Sequence, residues 1–203
     1  MTTGPAKRTY TKRARAGKEA ETRARIVDAV LQEWAIAGPR DTTITAIAAR
    51  ARVQRLTVYR HFEDDGALVR AACAAFAQRH PLPDPAEWAG VKNAPKRLRI
   101  ALNAVYRYYR DAGDTLVFIS RDADKVPGLD SMLREHARYV ESVIATLETG
   151  WTPRRKGGEF LEVAIRLALR HETWRSLAAE ALDDEAAARL MHRMIRALAR
   201  RAR

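Results

Sequence analysis

The stretch Thr43-Ile44-Thr45-Ala46-Ile47-Ala48-Ala49-Arg50-Ala51-Arg52-Val53-Gln54-Arg55-Leu56-Thr57-Val58-Tyr59-Arg60-His61-Phe62 decides how this chain is read. Thr43 stands where a helix N-cap belongs, and Ile44, Ile47, Ala48 and Ala51 follow at helical spacing. A turn near Arg52-Val53 then leads into a second short helix, from Gln54 to about Arg60. Ile47, Ala48, Val53 and Val58 are expected to hold the two helices together. The small side chains of Ala48, Ala49 and Ala51 let them cross closely. Gln54, Arg55, Leu56, Thr57, Tyr59, Arg60 and His61 are then left on an outer face. A helix of that length and polarity suits insertion into a DNA major groove about 12 Å wide.

On the N-terminal side, a helical period begins near Glu19 and carries Ile26, Val27, Val30, Leu31 and Trp34 on one face; Gly38-Pro39 ends it. Residues 1–18 read as a flexible basic arm, broken by Gly4, Pro5 and Gly17 and charged by Lys7, Arg8, Lys12, Arg13, Arg15 and Lys18. On the C-terminal side, Asp64 or Asp65 can cap a fourth helix that runs to about Arg79. His80-Pro81-Leu82-Pro83-Asp84-Pro85 then forces an extended connection and marks the expected domain boundary.

Beyond that boundary the pattern is helical again. Leu98 to Tyr109 forms a helix ending near Gly113, and Asp114 caps a short segment through Ile119. A long stripe from Leu129 to Leu147 closes at Gly150. After a loop at Pro153–Gly158, Phe160 to Leu177 is apolar over a wide arc, and Ala187, Leu190, Met191, Met194, Ile195 and Leu198 mark the last helix. No useful β-alternation and no internal repeat is present. The expected fold is all-α: an N-terminal three-helix unit joined to a C-terminal helical bundle. The last two helices are apolar widely enough to cover their own core and also a partner subunit; one well-packed monomeric bundle is the alternative.

The chain has 203 residues and a formal charge of +12, and residues 1–62 alone contribute +8. Charge segregated in this way points to a polyanion-binding N-terminal part. The single cysteine, Cys73, excludes an internal disulfide framework. No apolar run reaches a membrane span and no apolar segment follows the N-terminal charges, so the expected setting is cytoplasmic.

The segment quoted above resembles the helix-turn-helix of TetR-type repressors, through the Thr43-Ile44-x-x-Ile47-Ala48 start and the Thr57-Val58-Tyr59-Arg60-His61-Phe62 end. Leu68, and the preceding helix with Trp34 and Gly38, fit the same pattern, so the likeness covers about residues 20–70. It differs at two positions. Where the family's turn usually has glycine, this chain has Arg52; either the turn relaxes, or Arg52 accepts a strain of roughly 1–2 kcal/mol. Where the family usually has a phosphate-contacting lysine, this chain has Asp65, expected instead as a helix cap, and the lysine's role is not carried over.

The resemblance implies residues 19–79 as the DNA-binding domain with its linking helix, and 80–203 as a helical domain for dimerisation and effector binding. It implies phosphate contacts from Thr43, Thr45, Tyr59 and His61. Arg55 and Arg60 are the expected base readers, since a guanidinium can hold guanine O6 and N7 together. Gln54 suits adenine, and Leu56 and Thr57 suit a thymine methyl. The arm either tracks phosphates, enters a minor groove, or stays a weakly attracted tail. The implied partners are double-stranded operator DNA, a second copy of the chain and a small-molecule effector, with no membrane. Tyr106, Tyr109, Phe118, His136, Tyr139, His171 and Trp174 are candidates to line the effector's pocket, although histidines and aromatics at helical spacing equally suit a core. The expected function is a ligand-responsive repressor; a DNA-binding adaptor or architectural protein without an effector is the alternative.

An enzyme is not expected. The five histidines are scattered. His171-Glu172-Thr173-Trp174-Arg175 lacks the second histidine of a zinc-protease helix, and Arg155-Lys156-Gly157-Gly158 lacks the spacing of a phosphate loop. No cofactor or metal site is expected.

Overall fold

Pro5 opens the first helix, a position that suits a residue with fixed φ and no N–H. The computed structural model describes residues 5–151 and 160–199, with side chains from Ala14 onward. Helix α1 runs Pro5–Ala37, so residues 5–18 are helical where the sequence suggests a flexible arm. Alanine, arginine, lysine and glutamate are strong helix formers, and they outweigh the cost of about 1 kcal/mol for Gly17 in a helix interior. The side chains of Lys7, Arg8, Lys12 and Arg13, and the expected Pro153–Gly158 loop, lie outside the described residues.

Among the described residues ten further helices follow: α2 (Ile44–Arg50), α3 (Arg55–His61), α4 (Asp65–Arg79), α5 (Ala86–Ala89), α6 (Ala94–Ala112), α7 (Thr115–Asp122), α8 (Asp130–Glu148), α9 (Leu161–Ala168), α10 (His171–Ala179) and α11 (Asp184–Ala199). No strand occurs among the described residues. The chain divides into two compact units, one of residues 1–78 with 118–130, the other of residues 79–117 with 131–203. The first change of unit falls between residues 78 and 79, just before the proline-rich connection, and Phe118–Asp130 is grouped with the N-terminal helices.

Within the N-terminal unit, Ile26, Val30 and Trp34 of α1, Ile47 and Ala48 of α2, Val58 of α3, and Leu68, Ala72 and Phe76 of α4 are buried together with Ile119 and Leu129. Phe62 is buried beneath the Arg23 guanidinium, 4.5 Å from its ring centre. At the end of α1, Gly38 has φ +84, a conformation that favours glycine. A β-carbon there would meet Arg121 Nη2 at 2.7 Å and Phe118 Cβ at 3.0 Å. The neighbouring Asp122 is fully buried. Its carboxylate accepts from the Arg40 backbone N–H at 3.0 Å and from Arg121 Nε at 2.8 Å and Nη2 at 2.9 Å. The α1–α2 loop is thus fastened to a segment about eighty residues away in sequence.

In the C-terminal unit, α6 packs extensively on α11, burying Leu98, Leu102, Val105 and Tyr106 with Ala188, Met191 and Ile195. Trp88 of α5, a helix absent from the sequence reading, is completely buried. Arg97 is buried too, donating to Val91 O at 2.7 Å and to Thr149 O. The apolar run Phe160–Leu177 is not one helix. It breaks at Leu169-Arg170, where side chains take the last carbonyls of α9. Tyr106 donates to Ala168 O at 2.9 Å, Tyr109 to Leu169 O, and Thr173 to Leu167 O at 2.6 Å.

Candidate nucleic-acid interface

Thr43 begins the site. It has extended backbone geometry, and its hydroxyl accepts from Ala46 N–H at 3.1 Å, an N-cap for α2. The hydroxyl's own hydrogen remains available to a phosphate oxygen. Ile47, Ala48 and Ala51 are buried on the inner side and Thr45 is exposed. Arg50 pairs with Glu33, tying α2 to α1.

The turn between α2 and α3 has defined geometry. Arg52 N–H donates to Ala49 O at 3.1 Å and Val53 N–H to Ala48 O at 2.9 Å, while Arg52 has φ +55. These paired bonds form the Schellman termination of a helix, with arginine at the left-handed position usually taken by glycine. The turn therefore does not relax; Arg52 accepts the strain. Arg52→Gly is expected to stabilise the protein by about 1 kcal/mol, the relief of strain less the entropy glycine gains when unfolded. A rise in the urea midpoint at unchanged slope checks this.

Helix α3 starts from Gln54, whose side chain makes no capping bond. Val58 is the inward residue, and Phe62 closes the helix by donating its N–H to Val58 O at 3.0 Å. Gln54, Arg55, Leu56, Tyr59 and Arg60 are exposed, while Thr57 and His61 are half-buried. Leu56 is 69% exposed and Tyr59 45%, large apolar surfaces left in water beside the exposed guanidinium groups of Arg55 and Arg60. Base edges and thymine methyls offer both kinds of contact. Of the two candidate caps of α4, Asp64 takes the role. Asp64 Oδ1 accepts from Ala67 N–H at 2.5 Å, and Asp65 becomes the exposed first residue of the helix.

The expected pocket residues separate. Phe118 lies in the N-terminal unit beneath Arg121, 4.9 Å from its guanidinium, because α7 carries it back toward Gly38. The other six share one neighbourhood in the C-terminal unit. Tyr109 meets His171 edge-on at 5.0 Å and Trp174 at 6.1 Å, His171 lies 5.3 Å from Trp174, and Tyr106 stacks on Tyr109 at 6.4 Å. His136 and Tyr139 pair at 6.3 Å. Tyr106 and Tyr109 commit their hydroxyls to α9, and Trp174 commits its Nε1 to Asp184 at 3.0 Å. Tyr139 Oη and His171 Nε2 are buried without a hydrogen-bond partner among the described residues. Burial pushes the Tyr139 phenol up and both histidines down, so the phenol and the two imidazoles are neutral at neutral pH.

The described residues contain no group of three or more His, Cys, Asp or Glu placed to hold a metal ion, and none of their helices is long and apolar enough to cross a membrane.

These features define an all-α protein with a helix-turn-helix and a separate helical bundle. Residues 26–72 match the family model for bacterial regulatory proteins of the tetR family. The uncharacterized HTH-type transcriptional regulator TtgW of Pseudomonas putida is 39% identical over 70 residues, which is 34% of this chain and 51% of that protein. The match thus spans about half of that relative's length. A TetR-like transcriptional regulator from Rhodococcus sp. RHA1 superposes with a TM-score of 0.61 at 18% identity, over 86% of this chain and 93% of that one. A second regulator from the same organism gives 0.60 at 16%, over 87% and 95%. At such identities the structural likeness speaks for the fold. The helix-turn-helix region of this chain is thus similar to that of the tetR family of bacterial regulatory proteins, and the fold of the chain is that of TetR-like regulators.

Proposed function

We propose that this protein regulates transcription by binding a palindromic operator as a homodimer, and that it acts as a repressor released by a small molecule. The observation that carries the reading is the outer face of α3. Arg55 and Arg60 are exposed there, beside Leu56 and Tyr59, on a helix anchored by buried Val58. Thr43, Thr45, Tyr59 and His61 supply phosphate contacts that fix register, Arg55 and Arg60 read guanine, and Gln54, Leu56 and Thr57 meet adenine or thymine.

Dimerisation is supported by α9 and α11, which pack against each other and each expose a second apolar stripe. Val163 and Leu167 with Phe160 form one, Leu190, Met194 and Leu198 the other, each residue between 40% and 60% exposed. A second copy is the simplest cover for two such stripes. The effector is assigned to the aromatic neighbourhood of His136, Tyr139, His171 and Trp174. Its buried neutral phenol and imidazole favour a ligand whose polar group can satisfy Tyr139 Oη and His171 Nε2.

Met194→Glu tests the assembly. Light scattering is expected to show wild-type dimers and Met194→Glu monomers, the monomers binding a two-half-site duplex far more weakly. A dimer that survives the buried glutamate excludes this face as the interface.

A further inference from the structure

Helix α11 carries a second surface that the reading above does not use. Between it and the start of α6 lies a cleft of about 470 Å³, walled by Lys96 and Arg99 on one side and by Arg189, His192, Arg193 and Arg196 on the other. No carboxylate lines it among the described residues. Arg189 is paired with Glu185 at 2.6 Å, whereas Lys96, Arg99, Arg193 and Arg196 form no ion pair among the described residues. Cations facing each other across a cleft repel, and the arrangement gains most when an anion sits among them.

We propose that this cleft binds a small phosphate-bearing anion of at least two negative charges, with a diphosphate as the simplest form. Arginine forks match phosphate oxygens, and head groups from both walls can reach one ligand. The volume falls in the range of small-molecule sites. His192 registers the local potential. Burial depresses its pKa first, and the charges of Arg196 and Arg99 depress it further. Its Nε2 is buried with no partner among the described residues.

Position on the helix keeps this site apart from the other assigned surfaces. At about 100° per residue, the mean direction of Arg189, Arg193 and Arg196 lies roughly 130° around α11 from that of Leu190, Met194 and Leu198, so the cleft and the apolar stripe occupy different faces of the helix. A small ligand is favoured over duplex DNA because the cations surround a concavity, whereas a duplex backbone is a convex rod that needs an extended surface.

Calorimetric titration of the DNA-free full-length protein with inorganic pyrophosphate, at fixed ionic strength, tests the proposal. The wild type is expected to bind one pyrophosphate per subunit. Arg99→Gln/Arg193→Gln, and independently Lys96→Gln/Arg196→Gln, should bind about tenfold or more weakly, with helical content and melting temperature unchanged. Arg55→Gln/Arg60→Gln should bind as the wild type does. Absence of saturation in the wild type, equal affinity in the cleft variants, or loss in the α3 variant instead would each overturn it. So would a random-sequence duplex that displaces pyrophosphate and loses its own affinity in the cleft variants, since the cleft would then be a DNA surface.

Discussion

Arg55→Ala/Arg60→Ala is expected to lower affinity for the operator by about a hundredfold or more while leaving binding to unrelated duplexes nearly unchanged. A guanidinium that holds guanine O6 and N7 contributes about 1–3 kcal/mol of discrimination, and every 1.4 kcal/mol is tenfold. Both arginines are exposed on α3, and neither takes part in an ion pair or hydrogen bond found among the described residues. Their removal should therefore cost the fold little. The phosphate contacts assigned to Thr43, Thr45, Tyr59 and His61 would persist, so the salt dependence of binding should keep most of its slope. Fluorescence anisotropy on operator and scrambled duplexes, at two salt concentrations, separates the effects. An equal loss on both duplexes would make the two arginines phosphate contacts rather than base readers.

Asp122→Ala is expected to destabilise the protein by about 3 kcal/mol, through a different part of the N-terminal unit. The lost carboxylate leaves the Arg40 N–H without its acceptor, next to a glycine position with no room to adjust. The Arg121 hydrogen bonds hold the Asp122 carboxyl below its ordinary range, against the opposing effect of burial, with the Arg40 N–H assisting. A depressed pKa contributes stability that is present above the ordinary carboxylate range and is lost as pH falls through the depressed value. The gap between wild type and Asp122→Asn should therefore be constant near neutrality and shrink in acid. Urea unfolding at a series of pH values measures it, and a gap that widens in acid would reverse the assignment. Because Asp122 fastens the loop that leads into α2, the alanine variant should also weaken operator binding at temperatures where it remains folded.

The features that announce themselves in the sequence are those set by neighbours along the chain. Thr43 caps α2, Gly38-Pro39 stops α1, and the spacing of Ile47, Ala48 and Val58 gives the inward face of the helix pair. The outward placement of Arg55 and Arg60 follows from that spacing. What stays hidden depends on distant partners. Nothing near Phe118 signals that it returns to the N-terminal unit; Gly38, Arg40 and Asp122 make that junction together. The break between α9 and α10 has no glycine or proline, because hydroxyls of Tyr106 and Tyr109 from α6 terminate α9. The same two bonds commit the hydroxyls of two expected pocket residues to the backbone of α9 and its cap. The basic arm misleads for the opposite reason: Gly17 suggests a break, and the helix formers around it outweigh that local signal. The α6–α11 cleft joins residues nearly a hundred positions apart, and no local pattern reports it.

Selection of bound duplexes from a random pool by the wild-type protein tests the central claim most directly. The expected product is an inverted repeat with half-sites centred about 34–36 Å apart, or a multiple of that spacing, and with guanines at positions that lose their preference when Arg55 or Arg60 is replaced. A pool that returns no enriched sequence at low salt, or an enriched site indifferent to both arginines, would contradict α3 as the reader of DNA.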